Sequence, residues 1–154
     1  MTASALSAIE RSALVRAPRS RVWQALTNLK EFSKWFGVEA ESEFAPGARI
    51  RMISTHDSHK GQEFFVDVVT MDAPEAFSWR WHPGSKQPGE DNSSEATTLV
   101  EFRLTEVEGG TLVTVVESGF GRLSLARRAR VFEENSKGWE FQLASLNRYA
   151  GQAA

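Results

Sequence analysis

The sequence contains no cysteine, which excludes disulfides, thiolate metal sites and cysteine nucleophiles. It also has no apolar stretch near the roughly 20 residues that a membrane-spanning helix requires. Eighteen basic residues against 20 acidic ones give a net charge of −2 at pH 7, so no positive excess is available to neutralise a nucleic-acid backbone. We therefore expect neither nucleic-acid binding nor membrane insertion.

The composition is that of a folded domain with a sizeable core. Of the 154 residues, 41% are hydrophobic and 25% are charged, and we expect residues 1–154 to form a single domain. Residues 1–17 mix alanine and serine with charged residues and lack the continuous apolar run of a signal peptide. This favours a cytoplasmic protein.

The first third of the chain predicts one strand followed by two short helices. Apolar residues share one parity in residues 8–17, which is typical of a strand. Pro18 suits a first helical position. Asn28 can cap a second short helix that ends before Gly37.

The rest of the chain predicts a run of antiparallel strands and a long C-terminal helix. Alternating segments lie at residues 48–54, 62–71, 75–82, 97–105 and 111–118. Gly109-Gly110 is a strong hairpin signal between the last two. Residues 83–95 predict an exposed mobile loop, and whether it acts as a lid stays open. Residues 122–150 predict an amphipathic helix.

This α+β order resembles the START-like fold of the SRPBCC superfamily, also called the helix-grip fold. The chain is most similar to the branch named for the activator of the heat-shock-protein ATPase. The resemblance rests on Ala17-Pro18, Val22-Trp23, Ala25-Leu26-Thr27, Trp35-Phe36-Gly37, Pro46-Gly47, Phe77-Ser78-Trp79, Glu117-Ser118-Gly119-Phe120, and Gly138-Trp139 with Leu143 and Leu146. It implies a curved antiparallel sheet wrapped around the long helix, with a cavity between them that members of the superfamily use for apolar molecules.

A set of inward-facing residues forms the candidate ligand site. Strand parity and helix spacing place large apolar groups and one carboxylate there. The candidate residues are Met52, Phe64, Val66, Phe77, Trp79, Trp81, Phe102, Val115, Glu117, Phe132, Trp139 and Leu143. The same residues would also fill one another's space as an ordinary packed core, and contact alone does not separate the two interpretations.

Glu117 is the most informative polar residue. It continues the parity of Val113 and Val115, so it should point inward near the start of the C-terminal helix. A buried carboxylate can orient a polar ligand group or act as a general acid or base. The alternative is a structural ion pair or hydrogen bond to an arginine or to the helix N-terminus.

The remaining polar side chains indicate no metal or cofactor site. His56 and His59 lie three residues apart, but two imidazoles without a third ligand are weak evidence for zinc, and we expect solvated loop residues. We interpret the basic cluster of the C-terminal helix as a solvated face; its members are Arg122, Arg127, Arg128 and Arg130.

Three functions remain as hypotheses. The first is a binding protein for a small apolar or amphipathic molecule. The second, implied by the resemblance, is a co-chaperone that stimulates a heat-shock ATPase, although we expect no room for the separate N-terminal domain of the eukaryotic co-chaperones. The third is a cyclase-like or hydrolase-like enzyme that uses Glu117. A homodimer is a further option that no residue pattern decides.

Overall fold

The structure is a computed structural model that describes residues 8–57, 60–84 and 96–151. Its strands are β1 (Ala8–Val15), β2 (Val38–Glu39), β3 (Arg49–Ser54), β4 (Glu63–Asp72), β5 (Ala76–Trp81), β6 (Thr98–Val107) and β7 (Gly110–Ser118). Its helices are α1 (Arg19–Thr27), α2 (Leu29–Phe36) and α3 (Leu125–Gly151), with a 3-10 turn at Phe120–Arg122. Most of the loop expected at residues 83–95 lies outside the described residues, as does His59.

The strands form one antiparallel sheet in the order β1-β7-β6-β5-β4-β3-β2. The long helix α3 packs on one face of this sheet, with Trp139, Leu143 and Leu146 buried. The helix-grip architecture is confirmed. Strand β2 was not predicted, because two residues are too few to show alternation.

Local sequence signals set the two short helices. Pro18 has extended backbone angles, so it precedes α1 and is not its first helical residue as predicted. The side chain of Asn28 accepts a hydrogen bond from the Glu31 N–H at 3.2 Å, which confirms the predicted cap. Gly37 ends α2 in a left-handed conformation with φ of +82°, which glycine adopts without steric penalty.

Side-chain hydrogen bonds tie α2 to α3. Ser145 donates to the Trp35 carbonyl at 2.6 Å, and Gln142 donates to the Phe36 carbonyl at 2.9 Å. Carbonyl groups at the end of a helix lack partners within it, so these contacts satisfy acceptors that would otherwise need water. They hold the aromatic residues of α2 against the sheet.

A charged cluster links α1, α2 and α3. Arg21 donates to Glu31 at 2.5 Å and its guanidinium lies 5.4 Å from the Tyr149 ring centroid, while the Tyr149 hydroxyl donates to Glu31 at 2.9 Å. Partial burial raises the pKa of Glu31, but the hydrogen bonds from Arg21 and Tyr149 and the charge of Arg21 outweigh it, and the pKa lies below its ordinary value of 4.5.

Glu31→Gln should lower the free energy of unfolding by about 1 kcal/mol near neutral pH. Because the pKa of Glu31 is lower in the folded state, its stabilisation is fully present above pH 4.5 and is lost as the pH falls through the folded-state pKa. Urea unfolding should therefore show that the difference in free energy of unfolding between wild type and variant becomes smaller as the pH decreases. Glu140→Gln, which breaks only the exposed ion pair with Arg11, is the control. If the difference in free energy of unfolding stays constant in acid, Glu31 does not stabilise the fold through its charge.

The described parts of the chain contain no helix with the length and apolar character needed to cross a membrane. The same ranges contain no group of three or more histidine, aspartate and glutamate side chains that could hold a metal ion.

Candidate functional site

The centre of the candidate site is an aromatic cluster along β5. Phe77, Trp79 and Trp81 occupy alternate positions of this strand, and successive rings lie 5.6 Å and 5.4 Å apart. Trp139 of α3 lies opposite them, with ring centroids 6.3 Å from Trp79 and 5.9 Å from Trp81. The alternation of β5 therefore builds a continuous aromatic surface that α3 covers.

The middle of this cluster is tightly packed. Trp79 is fully buried. Its ring centroid lies 5.3 Å from Phe102, 5.9 Å from Phe32 and 6.3 Å from Phe36. At these spacings the neighbouring rings are in contact, as in an ordinary protein core. The described side chains thus fill the middle of the predicted cavity with one another.

The cluster is more open at the end of β5. Trp81 and Phe64 are half-buried, and their ring centroids lie 5.9 Å apart in an edge-to-face arrangement. Trp81 also stacks on Trp139, with 29° between the ring planes. The pair Trp81 and Phe64 is called the aromatic mouth below.

Glu117 lies beneath the aromatic mouth and is fully buried. One carboxylate oxygen, Oε2, accepts from the Trp81 indole at 2.8 Å and from the Thr98 hydroxyl at 2.5 Å. The other, Oε1, accepts from the Trp139 indole at 2.8 Å and from the Asn135 amide at 2.9 Å. The predicted burial of Glu117 is confirmed.

All four partners of Glu117 are neutral groups. Neither an arginine nor the helix N-terminus, the partners considered from the sequence, is among them. A carboxylate has about four acceptor positions, and four donors occupy them. Acid–base chemistry at Glu117 would require the loss of one of these bonds, whereas the present geometry fixes the orientation of two indole rings.

The structure brings most of the predicted site residues together. Besides Phe102, the buried ones are Met52, Val66, Val115 and Leu143. Phe132 differs, because it is half-buried and its ring contacts Phe120 at 5.2 Å, while its neighbour Val131 is fully buried. Trp139 and Leu143 are buried as predicted, so the predicted face of the helix is confirmed and only Phe132 lies at its margin.

Several residues of the site were not predicted. Thr98 lies on the inward parity of β6, and Asn135 precedes Trp139 by one helical turn. The strand and helix periods could therefore have placed both residues at the site. The α2 residues Phe32 and Phe36 are ring partners of Trp79, and they were not placed in the candidate site from the sequence.

A groove of about 380 Å³ lies on the opposite face of the sheet. Its polar lining includes Thr70, Ser78, Glu101 and Arg103, which have the outward parity of their strands. Phe77 and Phe102 of the aromatic cluster also line it, whereas Glu117 does not.

Two polar residues differ from the sequence-based expectation. Arg127 is buried and donates to the Pro83 carbonyl at 3.2 Å, so the basic cluster is not uniformly a solvated face. Its long side chain reaches back over the sheet end, which helical charge patterning does not show. His56 is half-buried rather than solvated, since its ring packs on Phe141 at 5.1 Å.

Comparison with solved structures supports the fold. A protein from Mesorhizobium loti, MLL2253, is 20% identical, with a TM-score of 0.75 over 96% of this chain and 98% of that one. The Aha1 dimer from Colwellia psychrerythraea is 18% identical, with a TM-score of 0.70 over 94% and 96%. DynU16, a putative protein in the dynemicin biosynthetic locus, is 24% identical, with a TM-score of 0.70 over 93% of this chain and 46% of that one.

Family membership rests on the sequence. No curated protein matches the chain in a sequence search. The profile of one family, however, matches residues 16–151, which is most of the chain. The chain belongs to the family of activator of Hsp90 ATPase homolog 1-like proteins.

Proposed function

We propose that this protein binds a small apolar or amphipathic molecule, which enters through the aromatic mouth between the sheet and α3. The interior rings are in contact, so entry requires the half-buried rings of Trp81 and Phe64 to move apart. Binding is then an induced fit at the open end of the cluster, and the fully buried rings behind it form the wall.

The observation that carries this proposal is the carboxylate of Glu117 within an otherwise aromatic cluster. A buried carboxylate is costly to place in an apolar surrounding unless hydrogen bonds compensate it, so its presence in an aromatic cluster indicates a role beyond filling space. Here the charge holds the indole N–H groups of Trp81 and Trp139, one at the opening and one on its cover. Such preorganised polar groups in an apolar pocket are typical of small-molecule sites.

Native mass spectrometry of gently purified protein tests this function. We expect a stoichiometric small molecule that is lost on denaturation, or an equivalent adduct after incubation with octan-1-ol. Trp81→Ala opens the mouth and removes one wall, so its adduct should be much weaker. Leu125→Ala, at a side chain that is 81% exposed, is the matched control and should retain the adduct. A bare mass for the wild type both before and after incubation would contradict ligand binding.

Family membership supports a second candidate, an interaction with a heat-shock ATPase. If this chain acts as a co-chaperone, it should raise the ATPase rate of the chaperone from its own host. An unchanged rate at saturating protein would exclude this function. The measurement is independent of small-molecule binding.

Self-association is supported by one neighbour, which is a dimer in solution. If this chain also dimerises, light scattering should give twice the monomer mass of 17.2 kDa. A single monomer mass across a wide concentration range would contradict it.

A further inference from the structure

We propose that the aromatic mouth selects a ligand with a positively charged, weakly hydrated head group, such as an alkyl trimethylammonium. This inference rests on the proposed binding function and adds the chemical class of the ligand. It is carried by three features that meet at one place: an uncompensated buried carboxylate, two indoles bound to it, and an accessible aromatic ring above it.

Among the described residues, the charge of Glu117 has no cationic partner. Its hydrogen bonds all come from neutral groups, and no lysine, arginine or histidine in the described ranges forms an ion pair with it. Hydrogen bonds lower the energy of a buried carboxylate but leave its negative potential in a surrounding of low dielectric constant. A cation that approaches the open end is therefore attracted more strongly than it would be in water.

The hydrogen bonds to Glu117 polarise the two indole rings. Trp81 and Trp139 both donate their N–H to Glu117 at 2.8 Å. A donor that binds an anion is polarised, so electron density on its ring rises. Tryptophan already has the strongest cation–π attraction of the aromatic residues. The half-buried ring of Trp81 thus becomes a better acceptor for a cation, and the ring of Trp139 lies buried behind it.

The half-buried ring of Trp81 makes this site reachable from outside. Phe64 and Phe36 flank it at centroid distances of 5.9 Å and 6.4 Å. Within the described ranges, the cation–π contacts are those of Arg21 with Tyr149 and of Arg49 with Phe65, so no basic side chain of these ranges lies over Trp81 or Phe64. A quaternary ammonium suits such a surface, because it forms no hydrogen bonds and Glu117 has no free acceptor position.

Three probes with the same alkyl tail test the inference: octyltrimethylammonium, octan-1-ol and octanoate. Binding is measured from the indole N–H signals of Trp81 and Trp139 in a two-dimensional ¹H–¹⁵N spectrum. We expect the ammonium probe to bind about tenfold more tightly than the alcohol, and octanoate to bind most weakly. Glu117→Gln should remove most of the ammonium preference.

Two further variants separate this effect from general charge attraction and from misfolding. Glu140→Gln removes the same charge from an exposed site and should retain the full preference. Trp81→Phe keeps an aromatic ring but removes its link to Glu117, so it should reduce the preference if Glu117→Gln does not fold.

Each remaining outcome overturns the inference. Equal affinity for all three probes would leave the proposed binding function standing and contradict the charge preference. If Glu140→Gln loses as much of the ammonium preference as Glu117→Gln does, the preference comes from net charge and not from Glu117. If no probe shifts the indole signals of Trp81 and Trp139, both the inference and the proposed function are wrong.

Discussion

Replacing Glu117 with alanine is expected to lower the free energy of unfolding by about 4 kcal/mol, because four donors lose their acceptor at once. The indoles of Trp81 and Trp139, the hydroxyl of Thr98 and the amide of Asn135 all point at this one carboxylate. Buried donors without partners are destabilising, and the small side chain also leaves a cavity.

Glu117→Gln separates the two causes. It preserves volume but places an amide N–H₂ against donors, so we expect an intermediate loss of about 2 kcal/mol. Glu101→Gln, on the exposed face of the neighbouring strand, is the control and should change stability by less than about 0.5 kcal/mol. Denaturant unfolding of the three variants and the wild type measures these losses in free energy of unfolding. A Glu117→Ala protein as stable as the wild type would show that the hydrogen-bond network contributes no stability.

The second large effect concerns two tryptophans that are equally buried but differently bonded. Trp139 donates its indole N–H to Glu117, whereas the buried indole N–H of Trp79 has no hydrogen-bond partner in the described structure. Substitution by phenylalanine removes similar apolar area at both positions. We expect Trp139→Phe to be the more destabilising by about 2 kcal/mol, the difference made by one hydrogen bond to a charged group.

Thermal and urea unfolding of Trp79→Phe and Trp139→Phe, side by side, test this difference. Because each variant is the size control for the other, differences in ring area largely cancel. Equal losses would mean that the bond from Trp139 to Glu117 makes no net contribution.

The strand periodicity explains why much of the site could be predicted from the sequence. Side chains alternate with a period of two, so the parity that placed Trp79 inward also placed Trp81 on the same face. The same rule placed Glu117 in line with Val115. The position of a residue in the strand determines which face its side chain is on, and side chains on the face that α3 covers are buried.

The partners of Glu117 could not be predicted in the same way. Thr98 and Asn135 reach it from different elements, and their meeting depends on how α3 lies across the sheet. Helical spacing alone also does not decide which of two adjacent residues at the margin of a stripe is buried. Phe132 and Val131 both fit a stripe with Trp139, but packing buries Val131.

Family membership explains the architecture more fully than the function. The profile match and the solved neighbours agree on the fold, and the same fold supports many activities. The functional argument therefore depends on this chain's own residues, above all on Glu117 and the two indoles bound to it.

The most direct test of the binding account uses the indole N–H signals of the five tryptophans. Trp81 and Trp139 bind Glu117, whereas the Trp35 indole donates to the Ala25 carbonyl and Trp23 contacts Phe77 at the far end of β5. During titration with octan-1-ol, we predict saturable shifts of the Trp81 and Trp139 signals, with Trp23 and Trp35 nearly unchanged. Unchanged Trp81 and Trp139 signals at saturating probe, or equal shifts of all five indole signals, would contradict a ligand site at the aromatic mouth.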